Sequence, residues 1–217
     1  MEIEFWKQRW QENQIGFHLS EVNPYLINHW SDLQLKSGAV VLVPMCGKSL
    51  DMIWLASENY SVVGVECSVK AVESFFNEQR LEVQVGNHRD YTVYQNAAIN
   101  LLQGDFFKLD KEILREVEAV YDRASLVALP EDMRQEYVNL LAENLPEKVK
   151  ILLVTLEYEQ SLMSGPPFSV SQKDVQSLYG NAFHIELLHQ QDILEEQSRF
   201  KERGLNYMLE RVYKISR

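Results

Sequence analysis

The sequence predicts an α/β fold: a mostly parallel sheet of seven strands with helices on both faces. Three observations carry this. Residues 39–67, AVVLVPMCGKSLDMIWLASENYSVVGVEC, run from an apolar β-branched stretch through a turn and a helical pattern into a second apolar stretch that ends on an acid. Two buried parallel strands need a crossover of this length and usually take a helix for it, so the stretch is one βαβ unit. Short apolar runs recur at 99–103, 119–122 and 151–155, separated by segments long enough for further crossovers. Finally, no repeat, low-complexity tract or linker interrupts the chain. The expectation is one domain over 1–217, made of an N-terminal helical segment (1–37) and a core (38–217).

Taken in order, residues 2–13 have Ile3, Trp6 and Trp10 near one helical face and charges opposite, the pattern of a docked helix. A second helical pattern over 21–35 leads to the Gly38 turn. Val40–Val43 form the first strand, which Pro44 ends because proline cannot donate to the ladder. Gly47 opens the turn; Met52, Ile53, Leu55 and Ala56 give the next helix its apolar face, and Ser49 and Asp51 suit its first turn. Val62–Val65 make the second strand, with Glu66 just past its carboxyl end. A helix begins near Ser68. Tyr91–Gln95 and Ile99–Gln103 pair as a hairpin whose second arm is the third parallel strand. Ala119–Asp122 is the fourth strand, Met133–Leu145 a helix stopped by Pro146, and Ile151–Thr155 the fifth strand. The irregular QSLMSGPPFSV follows, then a helix over 171–179 and edge strands over 183–188 and 207–215.

Composition excludes several classes. The chain has 217 residues, 46% hydrophobic and 24% charged, with a net charge of -11. A phosphate-backbone binder needs clustered Lys and Arg, so nucleic acid is not an expected partner. No stretch approaches 18 consecutive apolar residues and MEIEFWKQRW is not a signal peptide, so the expectations are no membrane, a cytoplasmic location and a monomer. Cys46 and Cys67 then stay reduced. The five histidines show no H-x-x-x-H spacing and there is no Cys-x-x-Cys, so no metal site is expected. There is no G-x-S-x-G elbow of a hydrolase.

The chemistry gathers at the first turn. In an open parallel sheet, ligands bind outside the carboxyl ends of the strands. An acid 19 residues after Gly47 is placed to accept the hydroxyls of a ribose. PMCGKS lacks the G-x-G-x-x-G that seats a pyrophosphate, which disfavours NAD and FAD. Gly47-Lys48-Ser49 imitates the end of a phosphate-binding loop, but Leu42 stands where that loop needs glycine. A ribose-bearing ligand without a tightly held diphosphate remains, and S-adenosylmethionine fits.

At these residues the sequence resembles the thiopurine S-methyltransferase family. VPMCGKSLDMIWLA followed by VVGVECSVKAVESFFNEQ matches the family's P-L-C-G-K-x-x-D/E-M and V-V-G-V-E in order, with Met45 where leucine is usual. FWKQRWQENQIGFH, YDRASLVALP and GPPF continue the likeness from Trp6 to Tyr213. The resemblance implies a Rossmann-like class I methyltransferase fold with an N-terminal helical lid, and S-adenosyl-L-methionine as cofactor. It implies methyl transfer to the sulfur of an aromatic or heterocyclic thiol, and extends the expected small-molecule acceptors to selenium and tellurium species.

The same resemblance implies roles for particular residues. Trp10 lies by the cofactor, where an indole face attracts a sulfonium, and Phe17 lines the substrate pocket. The backbone of Met45, Cys46 and Gly47 holds the methionine portion, Glu66 with Cys67 beside it the ribose. Asp105 and Phe106 meet the adenine, as in methyltransferases of this broad class. Arg123 reaches the cofactor or the substrate; a guanidinium suits an anion in fixed orientation. Pro166, Pro167 and Phe168 border the acceptor site, and Arg199 or Arg203 reaches it. No residue is assigned as the catalytic base, which acidic thiols do not need; Asp122 and Asp105 are the carboxylates at hand. Two rivals share the fold: an NAD-dependent oxidoreductase, which lacks its glycine-rich turn here, and a nucleotide sensor, against which Phe17 and the GPPF loop speak.

Overall fold

Strands that read as unbroken β-branched runs are buried on both faces, as parallel strands covered by helices must be. The computed structural model describes residues 3–217, apart from the side chains of Ser198 and Arg199. Its elements are α1 (Ile3–Gln11), α2 (Pro24–His29), β1 (Val40–Val43), α3 (Asp51–Ser57), β2 (Ser61–Glu66), α4 (Val69–Glu78), β3 (Gln84–His88), β4 (Tyr91–Gln95) and β5 (Ile99–Gln103). They continue with α5 (Lys111–Arg115), β6 (Ala119–Asp122), α6 (Glu131–Asn144), β7 (Lys150–Glu157), α7 (Gln172–Tyr179), β8 (His184–Asp192), α8 (Ser198–Lys201) and β9 (Leu209–Ser216). The sheet order is β3-β4-β5-β2-β1-β6-β7-β9-β8. Strands β5, β2, β1, β6 and β7 run parallel, and antiparallel hairpins close both edges.

Alternation along the strands divides the core. Leu42, Val120 and Leu153 join one apolar cluster, while Val41, Val43, Tyr121, Leu152 and Val154 join another. These are the two sides of one sheet, because successive strand residues point to opposite faces. A third cluster of Tyr158, Met163, Ile193, Leu194, Phe200, Leu205 and Met208 lies under the loops beyond β7.

Among the described residues the sheet has nine strands where seven are expected. The seven-strand frame is present, the predicted hairpin arm Tyr91–Gln95 is β4, and β3 is new. QVGNH carries no apolar alternation because all five residues are exposed and only β4 pairs with it. The helix expected over 21–35 is cut short: Asn23 caps it by accepting from Tyr25 N, Pro24 takes the first position, and a 3-10 turn over Trp30–Leu33 follows. The edge strand β8 runs on to Asp192 across a bulge between Leu187 and His189.

Candidate active site

The carboxyl ends of the parallel strands open into one cavity of about 570 Å³. At one end the turn after β1 is drawn tight: Cys46 N donates to Val65 O at 3.0 Å and Ser125 Oγ to Pro44 O at 2.7 Å. Met45 and Gly47 have positive φ, +46° and +55°. Strain of this kind in a non-glycine residue such as Met45 persists only where the surroundings over-determine it. At Gly47 the space is also taken, since a Cβ there would stand 3.0 Å from Trp10 Cζ2. The buried indole of Trp10 thus lies over the turn's backbone, with Phe17 edge-on to it at 5.5 Å.

Glu66 is buried beside this turn. Its Oε2 accepts from Gly47 N at 2.9 Å; its Oε1 accepts from Ser68 N at 2.8 Å and Cys67 Sγ at 3.3 Å. A carboxylate has about four acceptor positions; the backbone of Gly47, Ser68 and Cys67 and the Cys67 thiol all donate to it, the thiol being the weakest donor. Burial pushes the Glu66 carboxyl above its usual range, against the pull of these donors. Cys46 and Cys67 are free thiols, both raised by burial and by the neighbouring Glu66 charge, which makes them poor nucleophiles. Across from Glu66, Asp105 accepts from Phe107 N at 3.0 Å through Oδ1, and Phe106 offers an apolar surface. Met45, Cys46, Gly47, Glu66, Cys67, Asp105, Phe106 and Trp10 all line the cavity.

The other end is more apolar. Phe17, Val127, Leu129, Met133, Pro166 and Pro167 line it, with Arg123 between the two ends. Arg123 Nη1 donates to Phe17 O at 3.3 Å and its Nε lies 3.9 Å from Asp51 Oδ2, so it ties the lid to the sheet as well as facing the cavity. Asp51 is buried; it accepts from Asn23 N at 2.7 Å and Tyr121 Oη at 3.0 Å, a second tie between lid and core.

Two expected residues stand elsewhere. Phe168 does not line the cavity: its ring packs against Gly165, where a Cβ would meet it at 2.5 Å, and faces the Arg134 guanidinium at 6.0 Å. Asp122 is fully buried and occupied: Oδ1 accepts from Ser125 N and Leu126 N, and Oδ2 from Tyr137 Oη at 2.7 Å. It braces the turn after β6 and has no reach into the cavity. The Arg199 side chain lies outside the described residues, whereas Arg203 lines the cavity. Sequence reasoning missed Glu210, a cavity-lining acid on β9 that looks like any polar residue of an edge strand. His18, which carries no motif signal in the sequence, also lines the cavity, and burial lowers its pKa. Among the described residues no cluster of His, Cys, Asp and Glu could hold a metal ion, and no helix is long and apolar enough to cross a membrane.

This sheet, with its ligand-sized cavity at the strand ends and the acid that ends β2, has the fold of the class I S-adenosylmethionine-dependent methyltransferases. A methyltransferase of this kind from Anabaena variabilis superposes with a TM-score of 0.67 at 13% identity, covering 99% of this chain and 94% of that one. The 1,6-didemethyltoxoflavin-N1-methyltransferase of Burkholderia thailandensis, solved with S-adenosylhomocysteine, gives 0.65 at 13% identity over 99% and 87%. The sequence model described as Thiopurine S-methyltransferase (TPMT) matches residues 1–217, and the chain belongs to that family. Thiopurine S-methyltransferases of Pseudomonas fluorescens (strain Pf0-1) and Pseudomonas putida (strain KT2440) are 50% and 46% identical to it, over 99% and 100% of both chains. The protein is an S-adenosylmethionine-dependent methyltransferase.

Proposed function

We propose that the protein methylates the sulfur of aromatic or heterocyclic thiols, and that species derived from selenium and tellurium oxyanions are secondary acceptors. One observation carries this reading. A single cavity joins the turn under Trp10 to an apolar chamber walled by Phe17, Pro166 and Pro167. A planar thiol fits such walls, since aromatic pairs favour edge-on and offset contacts.

S-adenosylmethionine supplies a methyl group already activated on a sulfonium. The chain's own residues then have to hold and align. Glu66 takes a ribose hydroxyl at the acceptor position that the weak Cys67 thiol donor holds. The Met45–Gly47 backbone takes the methionine portion, Trp10 faces the positive sulfur, and Phe106 with Asp105 takes the base. Arg123 holds an anionic group, either the methionine carboxylate or a substrate anion. Alignment of nucleophile, methyl and leaving sulfur contributes roughly 7–11 kcal/mol in good cases, and an acidic thiol arrives ionised.

The test is methyl transfer from labelled S-adenosylmethionine to a panel of a mercaptopurine, a simple aromatic thiol, selenite and tellurite. Turnover is expected to be fastest on the aromatic and heterocyclic thiols. Tight cofactor binding with no turnover of any thiol would overturn the reading.

A further inference from the structure

The chamber holds a titratable group for which the alignment mechanism has no use. We propose that Glu210 is the proton acceptor for thiols that enter the cavity un-ionised, and that it thereby sets how weakly acidic an acceptor the enzyme can use. This rests on the thiol reading above and deepens it.

Glu210 is the second residue of β9, opposite Leu156 of β7, and both line the cavity at its acceptor end together with Gln197. Its neighbour Arg211 turns to the other face, where it bonds Glu157 and Gln190. Glu210 therefore faces Tyr25 of α2, whose hydroxyl bonds to it, Arg123 after β6, His189 of β8 and Glu196 of the turn beyond β8. Burial and the Glu196 charge raise its carboxyl, while Tyr25, Arg123 and His189 pull the other way; burial is the largest effect. A carboxylate shifted up toward neutrality is a better match to a thiol proton than an ordinary one.

The other carboxylates are committed. Among the described residues lining the cavity the acids are Glu66, Asp105 and Glu210. Glu66 is held by Gly47 N and Ser68 N at the cofactor end, and Asp105 caps the turn after β5 beside it. His18 is the other base in reach, but it faces Lys48 and Glu78 on the cofactor side as well as Arg123 and Asp51. In the step assigned to Glu210, the S–H proton passes to its carboxylate while the sulfur pair forms the S–CH3 bond. The sulfonium carbon–sulfur bond breaks onto the departing thioether, and Glu210 later returns the proton to water.

Two thiols separate this role from a structural one. 5-Thio-2-nitrobenzoate is already a thiolate at neutral pH, whereas phenylmethanethiol is almost wholly protonated. Glu210→Gln should lower kcat/KM for phenylmethanethiol at least 30-fold and for 5-thio-2-nitrobenzoate less than 3-fold, with S-adenosylhomocysteine affinity by calorimetry kept. Without turnover, a Glu210 carboxylate beside the sulfur disfavours a second negative charge, so thiolate absorbance of phenylmethanethiol in the S-adenosylhomocysteine complex should appear at higher pH in the wild type than in Glu210→Gln. If Glu210→Gln fails to fold, the wild-type pH profiles at saturating S-adenosylmethionine decide: kcat/KM should fall on acidification through the Glu210 pKa for phenylmethanethiol and stay flat for 5-thio-2-nitrobenzoate. Equal losses on both thiols, or the selective loss in His18→Gln instead, would overturn the proposal. No turnover of either thiol by the wild type would overturn the thiol reading itself.

Discussion

At the cofactor end of the cavity, nearly every lining group comes from the ends of β1, β2 and β5, and its polar partners lie within that short stretch: Gly47 N on Glu66, Ser68 N on Glu66, Cys46 N on Val65 O. At the acceptor end the walls come from the lid, the turn after β6, the proline loop, the segment beyond β8 and the start of β9. Backbone groups hold the first end in a fixed shape, whereas side chains that bridge distant segments hold the second: Arg123 to Phe17, Asp51 to Asn23 and Tyr121. The contrast assigns constancy to cofactor binding and adjustability to acceptor choice. A site framed by backbone keeps its shape when most of its side chains change, while one framed by side chains is reshaped by single substitutions.

Breaking the backbone-framed end should have the largest effect. Glu66→Ala removes an acceptor of hydrogen bonds to a charged group, on the order of 1.5–3 kcal/mol each. It also orphans Gly47 N. Calorimetry should show cofactor affinity reduced about 10–100-fold whichever acceptor is present; an unchanged affinity would take Glu66 out of the site. Because burial holds the Glu66 carboxyl above its usual range, acidification protonates it earlier than an ordinary carboxylate. Protonation replaces an acceptor with a donor, so cofactor affinity should begin to fall at a pH higher than the usual carboxylate range and fall further below it.

Asp122 sharpens the contrast from beneath the acceptor end. Asp122→Asn keeps one acceptor oxygen but brings an amide beside Ser125 N, Leu126 N or Tyr137 Oη. A buried donor left facing the wrong partner costs about 1–3 kcal/mol, so thermal melts should shift down. The folded fraction should keep its kcat/KM to within a few-fold; abolished chemistry with intact stability would make Asp122 the base after all. Smallest is Tyr121→Phe, which deletes only the hydroxyl that bonds Asp51 Oδ2 and Arg123. The expected loss is ~0.5–1.5 kcal/mol, read as a higher KM for the acceptor with cofactor affinity nearly unchanged, because the lid joint loosens and the β1–β2 turn does not.

Legibility followed the same line. Glu66, Gly47 and the β1–β2 pairing could be read because one contiguous stretch contains both strands, the turn and the acid, and strand direction alone puts the acid outside the sheet. Phe168 could not be placed, since GPPF names a stiff loop without saying which way its last ring turns; packing on Gly165 and the Arg134 guanidinium decides that. Asp122 looked available for the same reason Glu66 did, as an acid ending a parallel strand. Only the approach of Tyr137 from α6 reveals that its oxygens are consumed.

By itself, then, the sequence determined the alternation of strand and helix, the two-faced burial of the central strands, the cofactor end and the family motifs. These are local patterns, fixed by periodicity, turn chemistry and strand polarity. The tertiary structure alone decided that β3 adds an edge, that Asp51 and Arg123 lock the lid, and that Glu210 faces the acceptor chamber while Arg211 turns away. Such outcomes depend on which distant segments meet and which face of a strand they meet on, and no neighbouring residue encodes that.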